Sequence, residues 1–333
     1  MASTVVEAFN EVIDNSVNLL SSTSEKARIS RDWLLDQIAK FDRNEVTFPD
    51  LYSKIDIHFG SFARKTKIRE LDDIDLMIGL KANGSTYSEY KDKIEISVPD
   101  SASNLKNLCF DYSNRLNSRK VINKFVLMFS EIPQYTKAEI KRNQEAATLK
   151  LSSYSWNFDI VPCFITKENE AGDSYYLIPD GNGSWKKTDP RIDRERVSSI
   201  NKKHSGNVLQ VIRVMKYWNR RPTMPAIPSY LLETLILSYY EDKVTDTSSY
   251  VDLEIPGVLQ FIQTSILNSV DDPKGIQGDI NALSFVDRLK ISQKAEIDYH
   301  KAIEARQLEN DKDMRGSINK WREILGDSFP KFS

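Results

Sequence analysis

The sequence predicts an α+β protein in two lobes, a β-rich N-terminal lobe over residues 1–192 and a helical C-terminal lobe over residues 193–333. Two observations predict it. Between residues 54 and 180, short apolar runs alternate with turn residues, which is the texture of strands. From about Asp193 onward, apolar residues recur with the helical period in almost every segment. A chain of 333 residues is long enough for two lobes and a sizeable core.

The elements follow in chain order. Residues 4–20 and 24–41 read as helices, with Val5, Phe9, Val12, Ile13, Val17 and Leu20 along the first and Ser24 as the expected cap of the second. KIDIHF (54–59) alternates as a strand, FARKTKIREL (62–71) reads as a short helix or turn, and DIDLMIGL (73–80) as a more buried strand. Residues 94–98 are expected as an edge strand. Residues 103–117 are expected as a helix, with Leu105, Leu108, Cys109, Tyr112 and Leu116 on one side. KAEIKRN (137–143), AATLKLSS (146–153) and NFDIVPCFIT (157–166) read as three successive strands, and YYLIPD (175–180) continues to the turn DGNG. Helices are then expected at 193–203, 206–220, 228–242 and 252–268, and in several segments after 279. The segment 300–317 is expected as one charged, solvated helix.

Composition narrows the class. Charged residues make up 28% and hydrophobic residues 40%, and the net charge of −2 gives no argument for a broad nucleic-acid footprint, although a local basic groove stays open. Two cysteines and three histidines, with neither CxxC nor HxxxH spacing, argue against structural zinc and fit a reducing cytoplasm. The acidic, amphipathic N-terminus lacks the features of a signal peptide, and no apolar run reaches membrane-spanning length. A cytoplasmic protein without membrane attachment, and a monomer, is the expectation.

The chemistry concentrates at residues 59–80. Gly60 and Ser61 are separated by the eleven residues 62–72 from Asp73 and Asp75, which stand at i and i+2 in an apolar strand. Strand geometry puts such a pair on one face, roughly 6–7 Å apart. Two carboxylates there can hold divalent cations, which prefer hard oxygen ligands and share their shell with substrate phosphates. Asp159, flanked by Phe158, Ile160 and Val161, is the candidate third carboxylate, since an unpaired charge in such surroundings is costly and a cation relieves it. Gly60 permits close backbone approach to a triphosphate, and backbone N–H groups with the Ser61 hydroxyl can bind phosphate at a helix start. Asp311 and Asp313 share the spacing but sit in a charged helical stretch, where i and i+2 diverge, so they are expected at the surface.

The segment GSFARKTKIRELDDIDLMIGL resembles the GS…DxD signature of the DNA polymerase β-like nucleotidyltransferases, and within them the cGAS/DncV-like group, the CD-NTases. SWNFDIVPCF is similar to the third-aspartate strand of that group, GSWKKTDPR to its strand-to-linker segment, and VIRVMKYWNRR with AIPSYLLETL to its helical-lobe pair. DDPKGIQGDINAL is similar to its closing segment. The resemblance implies a bilobal polymerase β-like fold, with a mixed-sheet catalytic lobe and a helical lobe completing the nucleotide pocket. It implies that Asp73, Asp75 and Asp159 bind two Mg2+ ions, with Mn2+ as the substitute, and that Gly60 and Ser61 grip the donor phosphates. It further implies that Lys216 contacts the triphosphate, that Ser229 adds a phosphate hydrogen bond and that Tyr230 stacks on a nucleobase. The residues themselves leave alternatives open: a snorkelling lysine for Lys216, a helix N-cap for Ser229 and a core aromatic for Tyr230. Arg64, Lys65 and Lys67 could touch phosphate or face water, His58 reads as structural, and Arg191 and Arg194 as surface residues.

The implied activity is a cyclic oligonucleotide synthase that joins ATP and GTP with release of pyrophosphate. A purine cyclic dinucleotide such as cyclic GMP-AMP is the expected product, a second messenger in bacterial antiphage (CBASS) signalling. The chain departs from the animal members in lacking the Cys/His cluster of their zinc ribbon, so activation by DNA is not expected; a regulatory partner protein at the C-terminus is. Two other readings remain at this point: a template-independent transferase acting on RNA, protein or a small molecule, and a catalytically silent nucleotide-binding module.

Overall fold

In a computed structural model of the chain, residues 2–333 are described. Among them the helices are α1 (Val5–Val12), α2 (Ser21–Ile38), α3 (Phe41–Asn44), α4 (Gly60–Ala63), α5 (Ser103–Lys106), α6 (Ser118–Ser130), α7 (Pro190–Lys203), α8 (Val208–Asn219), α9 (Ser229–Asp242), α10 (Val251–Ser265), α11 (Phe285–Asn310) and α12 (Met314–Leu325). The strands are β1 (Ile57–Phe59), β2 (Asp73–Gly79), β3 (Thr86–Glu89), β4 (Ile94–Ser97), β5 (Glu139–Asn143), β6 (Ala146–Lys150), β7 (Asn157–Ile165), β8 (Tyr176–Pro179) and β9 (Trp185–Thr188). They form two compact units. One comprises Ser21–Ala63 and Glu70–Arg191; the other comprises the residues up to Leu20, Arg64–Arg69 and Ile192–Ser333.

The first unit is built on a mixed sheet of order β1-β2-β7-β8-β9-β4-β3, with β6 pairing on β7 and β5 on β6. The β2–β7 pair is parallel and the other pairs are antiparallel. Alternation explains β2 and β7: Ile74, Leu76, Phe158 and Ile160 are buried on one face, while Asp73, Asp75 and Asp159 stand on the other. Beyond the carboxylates that second face turns apolar, and Ile57, Met77, Val161 and Cys163 pack together with Ile55. Helix α6 lies against β5, β6, β7 and β8.

The helical unit has one continuous core drawn from α1, α8, α9, α10, α11 and α12. A division of the sequence at 192 places both N-terminal helices with the sheet, and α1 departs from it. Its stripe of Val5, Ala8, Phe9 and Val12 is buried in the helical unit, where the Phe9 ring meets Trp321 edge-on at 5.0 Å and Phe329 at 5.1 Å. Ile68, from Arg64–Arg69, joins the same core.

Other departures have local causes. The helix expected at 103–117 is only the single turn α5, and a longer helix, α6, begins where it was to end. Tyr112 adopts a left-handed φ of 56°, and Asn117 is extended, with its side chain accepting from the N–H groups of Arg119 and Lys120 as the cap of α6. Residues 94–97 are not an edge strand: β3, fully exposed, pairs outside them. Ser24 falls inside the first turn of α2 rather than capping it. The charged segment 300–317 is two helices, because Asp313 caps α12 by accepting from the Gly316 N–H at 2.8 Å. The DGNG turn forms as expected. Gly181 and Gly183 take left-handed φ values of 85° and 107°, and Asp180 accepts from Asn182 and Ser184 N–H groups.

Candidate active site

Three sequence-predicted carboxylates stand on one face of the sheet unit. In the parallel β2–β7 ladder Asp75 is the direct partner of Asp159, and Asp73 of Asn157, so all three aspartates share a face. Each is half-buried. On the other side of Asp159, Thr148 of β6 is its cross-strand partner and donates from Oγ1 to Asp159 Oδ1 at 2.6 Å. Burial raises the Asp159 pKa above the usual carboxylate value; the Thr148 hydrogen bond opposes the rise and the Asp73 charge adds to it.

Gly60 closes this face. It follows β1, whose Phe59 pairs with Asp75, and turns the chain at a left-handed φ of 71° into the single helical turn α4. A Cβ at Gly60 would lie 1.7 Å from Asp75 Oδ2 and 2.6 Å from its Cγ, so the backbone passes as close to the carboxylate as only glycine allows. Ser61 begins the same turn, within the same unit.

The donor set fits hard divalent cations: oxygen only, of one charge sign, on one face. It is not a ready-made cage, since among the described residues no three His, Cys, Asp or Glu side chains converge closely enough to hold a metal ion.

The remaining predicted residues lie in the helical unit. Lys216 of α8 is buried and neither snorkels to water nor stands alone: its Nζ donates to Glu233 of α9 and, at 3.4 Å, to Thr66. Ser229 is the first residue of α9, and the N-cap position belongs to Pro228, which excludes the capping role for Ser229. Tyr230 is held at its hydroxyl, which donates to Asp193 at 2.7 Å and sits 3.1 Å from Asp272, while the Lys274 ammonium lies 4.1 Å over the ring. One ring face is therefore taken by a cation, and a base could stack only on the other. Arg191 is tied to Asp189 and Ser174 in the sheet unit. Sequence reasoning missed Thr148, Glu233, Asp193, Asp272 and Lys274. Glu233 carried a signal, as a single charge within the apolar run of LLETLIL.

Among known proteins, a probable cyclic nucleotide synthase of Bacillus cereus (strain VD146) is 48% identical over 331 residues, 99% of each chain. The chain belongs to the bacterial CD-NTases, the cGAS-like cyclic nucleotide synthases. The cyclic AMP-AMP-AMP synthase of Acinetobacter sp. (strain ATCC 27244 / 9458) is 26% identical over 198 residues, 57% of this CD-NTase and 54% of that protein. The structure of CdnC from E. coli MS115-1 with ATP superposes with a TM-score of 0.71 at 14% identity, over 97% of this chain and 98% of that one. The CD-NTase thus has the polymerase β-like fold that its GS…DxD segment implied. No family model matches the chain. Among the described residues no helix is long and apolar enough to cross a membrane.

Proposed function

We propose that this CD-NTase joins ATP and GTP by Mg2+-dependent nucleotidyl transfer into a purine cyclic dinucleotide such as cyclic GMP-AMP, a second messenger in bacterial antiphage (CBASS) signalling in the cytoplasm. The observation that carries the reading is the face shared by Asp73, Asp75 and Asp159, closed by Gly60. Asp73, Asp75 and Asp159 would hold the ions. Bound there, divalent cations would acidify the attacking ribose hydroxyl and offset charge on the departing pyrophosphate.

The chain's own part is positioning, which dominates phosphoryl-type transfers. Thr148 fixes the Asp159 carboxylate by a charge-assisted hydrogen bond. Gly60 lets backbone N–H groups approach the donor phosphates, with the Ser61 hydroxyl beside them. Lys216 supplies positive charge to the triphosphate, Ser229 a hydrogen bond, and Tyr230 the open face of its ring to a base. For cyclisation, the linear intermediate turns over and presents its own triphosphate to the same carboxylates.

The test is incubation with all four labelled NTPs, phosphatase treatment and mass spectrometry. The expected product resists phosphatase, because a cycle has no terminal phosphate, and its mass separates a dinucleotide from a trinucleotide of the kind the Acinetobacter relative is named for. Asp75→Asn should abolish both product and pyrophosphate release without lowering Tm, and retained synthesis would overturn the carboxylate assignment. A phosphatase-sensitive extension of RNA, or NTP binding without pyrophosphate release, would instead favour the open-chain transferase or the silent module.

A further inference from the structure

A second set of charges lies wholly inside the helical unit. Glu233 is 2% exposed and Lys216 6%. Glu233 accepts from Arg64 Nε at 3.1 Å and from its Nη2 at 3.3 Å, and it also accepts from Lys216 Nζ. Lys216 has three N–H donors, and Glu233 and Thr66 Oγ1 account for two of them. Two cations thus share one carboxylate, with Lys67 adding like-charge repulsion on Lys216. Asp193 also faces Arg64, but it is engaged by the Tyr230 hydroxyl and by Lys274 at 3.6 Å. A small recess of about 10 Å³, lined by Arg64, Asp193, Tyr230, Glu233, Thr234 and Pro273, lies beside the cluster.

Stability does not explain this arrangement. Replacing a buried ion pair by well-packed apolar groups is often neutral or stabilising, and α8 and α9 already present Ile212, Met215, Leu232 and Ile236 to the core. Removing the carboxylate alone, however, would leave two like charges buried together. Burial pulls the Lys216 pKa down; Glu233 pulls it back up, and Arg64 and Lys67 push it further down. Burial works to raise the Glu233 pKa, yet Arg64 and Lys216 outweigh it and hold it below the usual carboxylate range.

We propose that Glu233 is a positioning residue, which holds Lys216 and Arg64 side by side as a fixed cationic pair for the phosphates of the nucleotide and touches no phosphate itself. The proposal rests on the nucleotidyltransferase reading above. It gives the one buried carboxylate of α9 a role that packing does not require.

The test is Glu233→Gln, which keeps shape and removes charge, with ATP binding by calorimetry and steady-state pyrophosphate release from pH 7 to 9. Losing the counter-charge of a buried pair should raise Kd and KM about tenfold at pH 7.5 with kcat within about threefold. The loss should deepen as pH rises and Lys216 sheds its proton, while the wild type stays flat, and Glu233→Asp should restore most of the affinity. Wild-type Kd for Glu233→Gln, or an increase in Kd that is the same at every pH, overturns the proposal. Should Glu233→Gln not fold, the triple variant Arg64→Met, Lys216→Met and Glu233→Leu removes all three charges. It is expected to keep wild-type Tm and lose ATP binding, and wild-type binding by it would equally overturn the proposal. A wild type that releases no pyrophosphate sinks the function reading; an active wild type indistinguishable from Glu233→Gln sinks this inference alone.

Discussion

Gly60→Ala tests the candidate site with a single methyl group. The added Cβ would stand 1.7 Å from Asp75 Oδ2. An ordinary C···O contact is about 3.3 Å, so the carboxylate oxygen must retreat by roughly 1.6 Å or the turn must open by as much. The backbone contributes a second penalty, because φ at Gly60 is 71° and an L-residue there costs about 1–2 kcal/mol. For a unit of this size that penalty lowers Tm by only a few degrees, on the order of 2–4 °C per kcal/mol. Displacing a catalytic group by about 1 Å costs about a hundredfold in rate. The expected result is therefore a folded variant with a slightly lowered Tm and a kcat for pyrophosphate release reduced about a hundredfold at saturating ATP and GTP. Circular dichroism melting and a coupled pyrophosphate assay measure the two effects. A kcat within threefold of wild type, at any Tm, would refute the argument that the Gly60 turn and Asp75 form one reaction centre.

Two further perturbations separate chemistry from stability. Thr148→Val keeps the shape of a buried β6 position but removes the hydroxyl that Asp159 accepts from; a hydrogen bond to a charged group is worth about 1.5–3 kcal/mol, so urea unfolding should show a loss near the low end and kcat should fall about tenfold, with unchanged stability and kcat counting against the Thr148–Asp159 bond. Asp252, buried at the start of α10, has its pKa raised to about 6 by burial and by the Glu309 charge, with Arg306 opposing. A raised carboxylate pKa means the folded chain holds that proton more tightly, so its contribution is fully present below about pH 4, is lost as pH rises through about 6, and is flat above. Asp252→Asn should accordingly gain about 3 kcal/mol over wild type at pH 7.5 and nothing at pH 4, by urea unfolding at both values; a pH-independent difference would contradict it.

The site was legible where chemistry follows local period. Asp73 and Asp75 share a face because strand side chains repeat every two residues, and that can be read from seven residues of sequence. Asp159 was legible because it interrupts a run of buried apolar neighbours. Local reading failed where neighbouring patterns run together. Leu105, Leu108, Cys109, Tyr112 and Leu116 keep a helical spacing, yet the left-handed Tyr112 ends that helix after the single turn α5, and Asn117 caps the separate helix α6. Strand β3 escaped notice because all four of its residues are exposed, and its place comes from backbone pairing with β4. Asp313 is exposed, as its charged surroundings implied, but nothing in its spacing shows that its carboxylate caps α12.

The amino-acid order by itself determined the two textures, the apolar strands around three aspartates, the glycine before them and the family to which they belong, since each depends on spacing within one short segment. Only the tertiary structure decided what meets across long stretches of chain. It set Asp75 beside Asp159, brought Glu233 between Arg64 and Lys216, placed Lys274 over Tyr230, and drew α1 into the helical core. Those pairings join residues tens to hundreds of positions apart, and they are chosen by which buried charges and apolar stripes can satisfy one another in three dimensions, a condition that no local period carries.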